Sequence, residues 1–363
     1  MPDISGLIAQ ANTDGRFADI ASNPFVQFGT DNRRYIGAEL LPERNVNEYM
    51  FKDEAFRLMS TVANDESRHS PPTIQKMART EGMQVILGDS GIATQLNSPE
   101  YDALVDMLNR NASMDAMTQL LQFPAMLNRA MVEHNERQRW QMIEKMQITR
   151  DGDNGYKETL TFDAPTGFRV NAGATYTGDA TARDPFTDIL AGVDFLAGKG
   201  KTVRRIITSR TVASIMTQNA KIMSRTGITV VNNTGNISVS PARATAEGLS
   251  SAFNREGLPT PETYDLMWTK GQTSGYFLSR NVIALIAGTE ASATVERNGS
   301  VFNLDGTLGY TAVGRVAGFA SPGRQIRVNY IDELPPRIEG SAKQASFPVI
   351  QDREAVYIIG GIT

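Results

Sequence analysis

Cysteine is absent from this chain of 363 residues, and histidine occurs only twice, as His69 and His134. The first absence excludes disulfide staples, thiolate nucleophiles and cysteine-ligated zinc or iron-sulfur sites. The second leaves no His-rich metal centre, and a carboxylate site with one histidine has no supporting spacing. Also lacking is an excess of basic charge: 36 Lys and Arg stand against 40 Asp and Glu, a formal net charge of −4. A protein that grips nucleic acid tightly carries a basic bias; if this chain meets nucleic acid, it is expected to contain it rather than read it. No run of eighteen apolar residues occurs, and the start MPDISGLIAQANTDGRF has no basic stretch followed by an apolar one. The sequence thus predicts a soluble chain, cytoplasmic where it is made, with no membrane span, no cofactor and no metal. Its length allows two ordinary domains and a substantial core without staples.

What the chain does have is a helical stretch of about fifty residues from Ser98 to Gln147, ending in SMDAMTQLLQFPAMLNRAMVEHNERQRWQMIEKMQ. Ser98, Pro99 and Glu100 supply a cap, a proline at the first helical position and an acid in the first turn. A first helix is expected from there to about Leu108, with a restart at Asn111 and Ser113. Pro124 either kinks the next helix or opens a new one at Phe123. Leu127, Met131, Met142 and Met146 share about a third of the helix circumference, with Glu133, Arg137 and Glu144 outside that stripe. The stripe reads as packing surface, not as a ligand box.

Residues 1–44 carry scattered turn formers (Asn12, Asp14, Gly15, Asn23, Pro24, Gly29) and single apolar residues, a mixture expected to bury no core of its own. They read as an arm that docks on neighbouring subunits through residues such as Phe17 and Phe25. From 45 to 97, the runs NEYMFKDEAFRLMSTVA and MARTEGMQVILG flank a polar tip, NDESRHSPPT, where Pro71 and Pro72 exclude helix. That pattern predicts a long two-stranded hairpin. An isolated hairpin is marginal in water, so this one is expected to lie on another subunit. Its charged tip, Asp65, Glu66, Arg68 and His69, is either a solvated loop or an intersubunit contact.

After the long helix, Tyr156–Phe162 alternates as a half-buried strand does, and a helix follows Asp184 and Pro185 with Phe186, Ile189, Leu190, Val193 and Leu196 on one face. The strand VRRIIT (203–208), a helix from Ser209 to about Ser224, a helix after Ser240 and Pro241, and the strands TYDLMWTK, GYFLSR and NVIALIAG describe a compact α/β body. Pro335 and Pro336 mark a boundary before the closing strands.

Three motifs look catalytic and are discounted. Gly88-Asp89-Ser90-Gly91 matches the tetrapeptide around the nucleophile of trypsin-like proteases, but neither histidine sits where it could act as base; it reads as a turn at the hairpin base. Ala197–Thr202 (AGKGKT) resembles a phosphate-binding loop but has Phe195 where the first glycine belongs, and its helix precedes its strand. It reads as a helix C-cap. His134 and Glu136 are two residues apart, which does not place them on one helix face.

Taken in order, these elements resemble the capsid fold of tailed bacteriophages named after Hong Kong 97, and most closely the lambda-like major capsid family. NERQRWQMIEKMQ, DPFTDILAGVDFLAGKGKTVRRIITSRTVASIM and RIEGSAKQASFPVIQDREAVYIIGGIT carry the resemblance, which covers nearly the whole chain. It implies an α+β fold: N-terminal arm 1–44, extended loop 45–97, peripheral domain with spine helix 98–199, axial domain 200–334, and C-terminal strands 335–363 returning to the peripheral domain as a pair. It further implies a non-enzymatic subunit that forms pentamers and hexamers and closes an icosahedral shell around double-stranded DNA, without sequence-specific binding. The partners implied are a scaffolding protein, a portal and a decoration or cement protein. Assembly would take place in the bacterial cytoplasm and the subunit would end in the virion. Encapsulin-like shells, which enclose a cargo enzyme, share the fold and stand as the alternative, and a hydrolase built on Ser90 as a more distant one. Some relatives join a loop lysine to a neighbour's asparagine. Lys52 and Lys76 lie in or beside the loop here, yet no carboxylate is fixed near them to move the proton, so non-covalent shells are expected.

Overall fold

Ile4, Leu7, Ile8 and Ala11 recur at three- and four-residue steps, and that period winds the N-terminal segment into α1 (Ile4–Thr13) with all four buried. Gly15, at φ 71°, turns the chain into α2 (Arg16–Ser22), which buries Phe17 and Ala21. Residues 1–44 are expected to bury no core of their own, and these apolar residues are indeed buried in a core shared with later segments of the chain, from Leu104 to Phe123 and at Val328 and Ile338. Apolar residues that look scattered along the sequence form one stripe when coiled at 3.6 residues per turn. The computed structural model describes residues 4–22, 33–47, 50–58, 78–96, 98–152, 157–176, 183–225, 230–231, 237–238, 244–288, 294–297, 300–303, 308–333 and 336–362.

α3 (Ile36–Leu40) and β1 (Glu43–Asn45) follow. β2 (Met50–Leu58) and β3 (Ala78–Ile86) pair as a two-stranded sheet, the arrangement expected of the hairpin; its tip lies outside the described residues. β4 (Gly88–Gln95) begins two residues later and pairs antiparallel with a strand near the C-terminus, from Gly88 opposite Ser346 to Gln95 opposite Glu339. Gly88–Gly91 is thus strand and not a turn, because a pairing partner some 250 residues away satisfies its backbone. α4 (Ser98–Asn109) ends before Asn111, whose φ of 60° breaks the helix. α5 (Ser113–Lys145) then runs for 33 residues, about 50 Å at 1.5 Å per residue. Pro124 lies inside it, so no new helix opens at Phe123.

β5 (Gln147–Asp151) and β6 (Lys157–Thr161) form an antiparallel pair, and β7 (Arg169–Asn171) follows. α6 (Pro185–Ala197) starts as expected: the Asp184 carboxylate accepts from the Phe186 amide at 3.0 Å and Pro185 opens the first turn. After β8 (Thr202–Thr208), the single helix expected from Ser209 is broken into α7 (Arg210–Gln218) and α8 (Ala220–Arg225). Asn219 makes the break. Its Oδ1 accepts from Lys221 N, and its Nδ2 donates to the carbonyls of Tyr176 and Arg183, each at 3.0 Å.

β9 (Val230–Val231) pairs β10 (Ile237–Ser238). α9 (Ala246–Arg255) is capped by Thr245, not by Ser240 and Pro241, which lie outside the described residues. Beyond it come β11 (Pro261–Thr263), the hairpin of β12 (Met267–Lys270) with β13 (Thr273–Tyr276), β14 (Ile283–Gly288), and the hairpin of β15 (Thr294–Arg297) with β16 (Ser300–Asn303). β17 (Gly309–Gly314), β18 (Gln325–Ile331), β19 (Arg337–Ile350) and β20 (Val356–Gly360) complete the chain.

The chain divides into two compact units. One contains residues 1–55, 81–139 and 310–349. Its sheet runs β1-β17-β19-β18, with β4 also on β19. One of its apolar cores joins α1, α2, α4, the first half of α5, Val328 and Ile338. Gly340 is required where α5 crosses β19, since a Cβ there would lie 2.4 Å from Phe123 and 2.7 Å from Leu127. The other unit contains residues 56–80, 140–309 and 350–363, and its sheet runs β11-β8-β14-β20-β7. α6 packs on that sheet; a Cβ at Gly192 would meet Leu285 at 2.5 Å and Tyr357 at 2.6 Å. The expectation that the two closing strands pair with each other is corrected. β19 belongs to the first sheet and β20 to the second, because the turn at Arg353–Ala355 redirects the chain instead of folding it back as a hairpin.

Candidate functional site

Of the residues expected to meet a neighbour, Phe17 is 5% exposed and packed in its own chain's core beside Ile4, Leu7 and Ile8. Phe25, Asp65, Glu66, Arg68 and Lys76 lie outside the described residues. The structure also disposes of the catalytic lures. Ser90 sits in β4 and its Oγ donates to the Gln344 carbonyl at 3.2 Å. Lys199 and Lys201 are taken up by Glu354, at 3.2 Å, and Asp352, so the cations of the GKT sequence serve to hold the turn after α6 to the acidic turn before β20. His134 contacts the Gln138 amide one helical turn on, at 2.9 Å. Among the described residues no three His, Asp or Glu side chains cluster as metal ligands, and no helix is long and apolar enough to cross a membrane.

The expected stripe is buried: Leu127, Met131 and Met142 in α5, and Met146 just past its end at φ 49°, are each 0–3% exposed. Polar residues that escaped the sequence reading share its face. Asn128, Asn135 and Arg139, each 0% exposed, recur at seven and four residues, which keeps them within a narrow sector. Around them lies a buried ion-pair cluster. The Glu43 carboxylate accepts from Asn135 Nδ2 at 2.8 Å, from Arg139 Nη2 at 3.1 Å and from Arg324. Arg139 also donates to Thr311 Oγ1 at 2.8 Å and to Glu136 at 3.4 Å. Glu136 accepts the Gly37 amide at the start of α3 at 2.7 Å. Arg324 completes its fork on Gln344 and Asn128. Two carboxylates balance two guanidiniums, and every guanidinium nitrogen and carboxylate oxygen has a partner, the condition under which buried charge is tolerable. Burial lowers the Arg324 pKa from its usual value, against the pull of Glu43. Nearby, burial and then the Glu133 charge push the Tyr35 phenol up to about 12.

Glu43 and Arg324 also form part of the floor of an open groove of about 1000 Å³ in the same unit. One wall is α1 and α2, presenting Ser5, Ala9 and Ala18; the other is β18. Six consecutive residues of β18, Gln325 to Tyr330, line it. Side chains of a strand alternate between faces, so a run of both parities means that the strand borders the groove with its edge. Glu144, expected outside the packed stripe, is 3% exposed in the other unit, where its carboxylate accepts from Ser279 Oγ at 2.8 Å and pairs with Arg169 at 3.5 Å. No signal in the helical period could have revealed these partners, which come from distant segments.

No family model and no curated protein matches the chain in sequence. Solved structures do. A phage-related protein of Bordetella bronchiseptica is 15% identical, with a TM-score of 0.54, over 96% of this chain and 97% of that one. A capsid protein assigned to a prophage of E. coli CFT073 is 12% identical, with a TM-score of 0.58, over 96% and 98%. An encapsulin of Synechococcus elongatus aligns over 97% and 95% at 10% identity and a TM-score of 0.44, too low to weigh. The match to the first two over 96% of the chain gives it the α+β fold of the tailed-phage capsid proteins of the Hong Kong 97 type.

Proposed function

We propose that this chain is the major capsid subunit of a tailed bacteriophage, a structural protein without catalysis. The observation that carries the reading is the match to the prophage capsid protein over 96% of this chain and 98% of that one at a TM-score of 0.58. In this reading the subunit forms pentamers and hexamers that close an icosahedral shell around double-stranded DNA, assembled in the host cytoplasm and ending in the virion. Scaffolding, portal and cement proteins are its partners, and the β2–β3 sheet, which has no third strand among the described residues and so little stability alone, lies on a neighbour. Residues 1–44, 45–97, 98–199, 200–334 and 335–363 serve as arm, extended loop, peripheral domain, axial domain and returning strands. A net charge of −4 suits a lining that must not grip the genome.

Electron microscopy of the purified protein tests the reading. Closed angular shells are expected, with nuclease-protected double-stranded DNA in particles taken from infected or induced cells. Monomers alone at high concentration would overturn it, and shells filled with a second protein would transfer the subunit to the encapsulin class.

A further inference from the structure

We draw no further inference here: the strongest candidate, the open groove of about 1000 Å³ between α1–α2 and the edge of β18 that no described strand pairs, carries none, because nothing in the structure shows what fills it and the helices that wall it are held in the unit's own core.

Discussion

At the residue scale, Glu43 does the most with one side chain. It neutralises Arg139 and Arg324 together, and both guanidiniums are essentially buried, with side chains 0% and 2% exposed. Glu43→Ala leaves Arg324 buried without its carboxylate and Arg139 with Glu136 alone, so a loss of about 3 kcal/mol is expected, measured by urea unfolding. Adding Arg324→Met should recover part of that loss, because an apolar side chain needs no partner. Tyr35 has the opposite logic. Its phenol donates to Glu133 at 3.2 Å, and folding raises its pKa from 10.0 to about 12, which favours the neutral form. A group raised in the folded state contributes its stability fully below the unfolded pKa and loses it as pH climbs through the folded one. Stability should therefore fall between about pH 10 and pH 12, and Tyr35→Phe should flatten that part of the melting-temperature profile. An unchanged slope would mean that Tyr35 is not the group titrating.

At the element scale, α5 is the informative case. It carries Pro124 in its interior, where the missing N–H leaves the Leu120 carbonyl without its helical donor. Thirty-three residues hold through that defect because both sides are packed: Phe123 and Leu127 against Gly340, Leu120 within the apolar core. Pro124→Ala should restore the hydrogen bond and raise stability by about 1 kcal/mol or more, read as a higher denaturation midpoint. A lower midpoint would show that the buried proline ring fills space an alanine cannot. The end of the same helix depends on tertiary contacts too: Glu144 sits in the last turn, where the helix dipole disfavours an acid, and Ser279 with Arg169 compensates.

At the scale of the whole molecule, each unit is assembled from three separate stretches of chain. Neither can fold from one continuous segment, which places much of the ordering in long-range pairings such as β4 with β19. With no cysteine in the chain, disulfides cannot join its copies. On the proposed shell reading, particles boiled in detergent should release one band near 39.6 kDa. A ladder of covalent oligomers would instead direct attention to Lys52 and Lys76, the lysines in and beside the extended loop.

The sequence alone determined the capping of α6 by Asp184, the buried stripe of the long helix and the pairing of β2 with β3, because period, caps and turn residues are local properties of the chain. Tertiary structure decided what depends on contacts between distant segments. The apolar residues of 4–17 found a core only because α4, α5 and β18 supply its other half. Gly88–Gly91 became strand because Ser346 and its neighbours stand opposite. Asn128, Asn135 and Arg139 entered a packed face because Glu43, Arg324 and Gln344 arrive there to satisfy them. A buried polar group is stable only beside its partner, and nothing in the local sequence says which distant residue that partner will be.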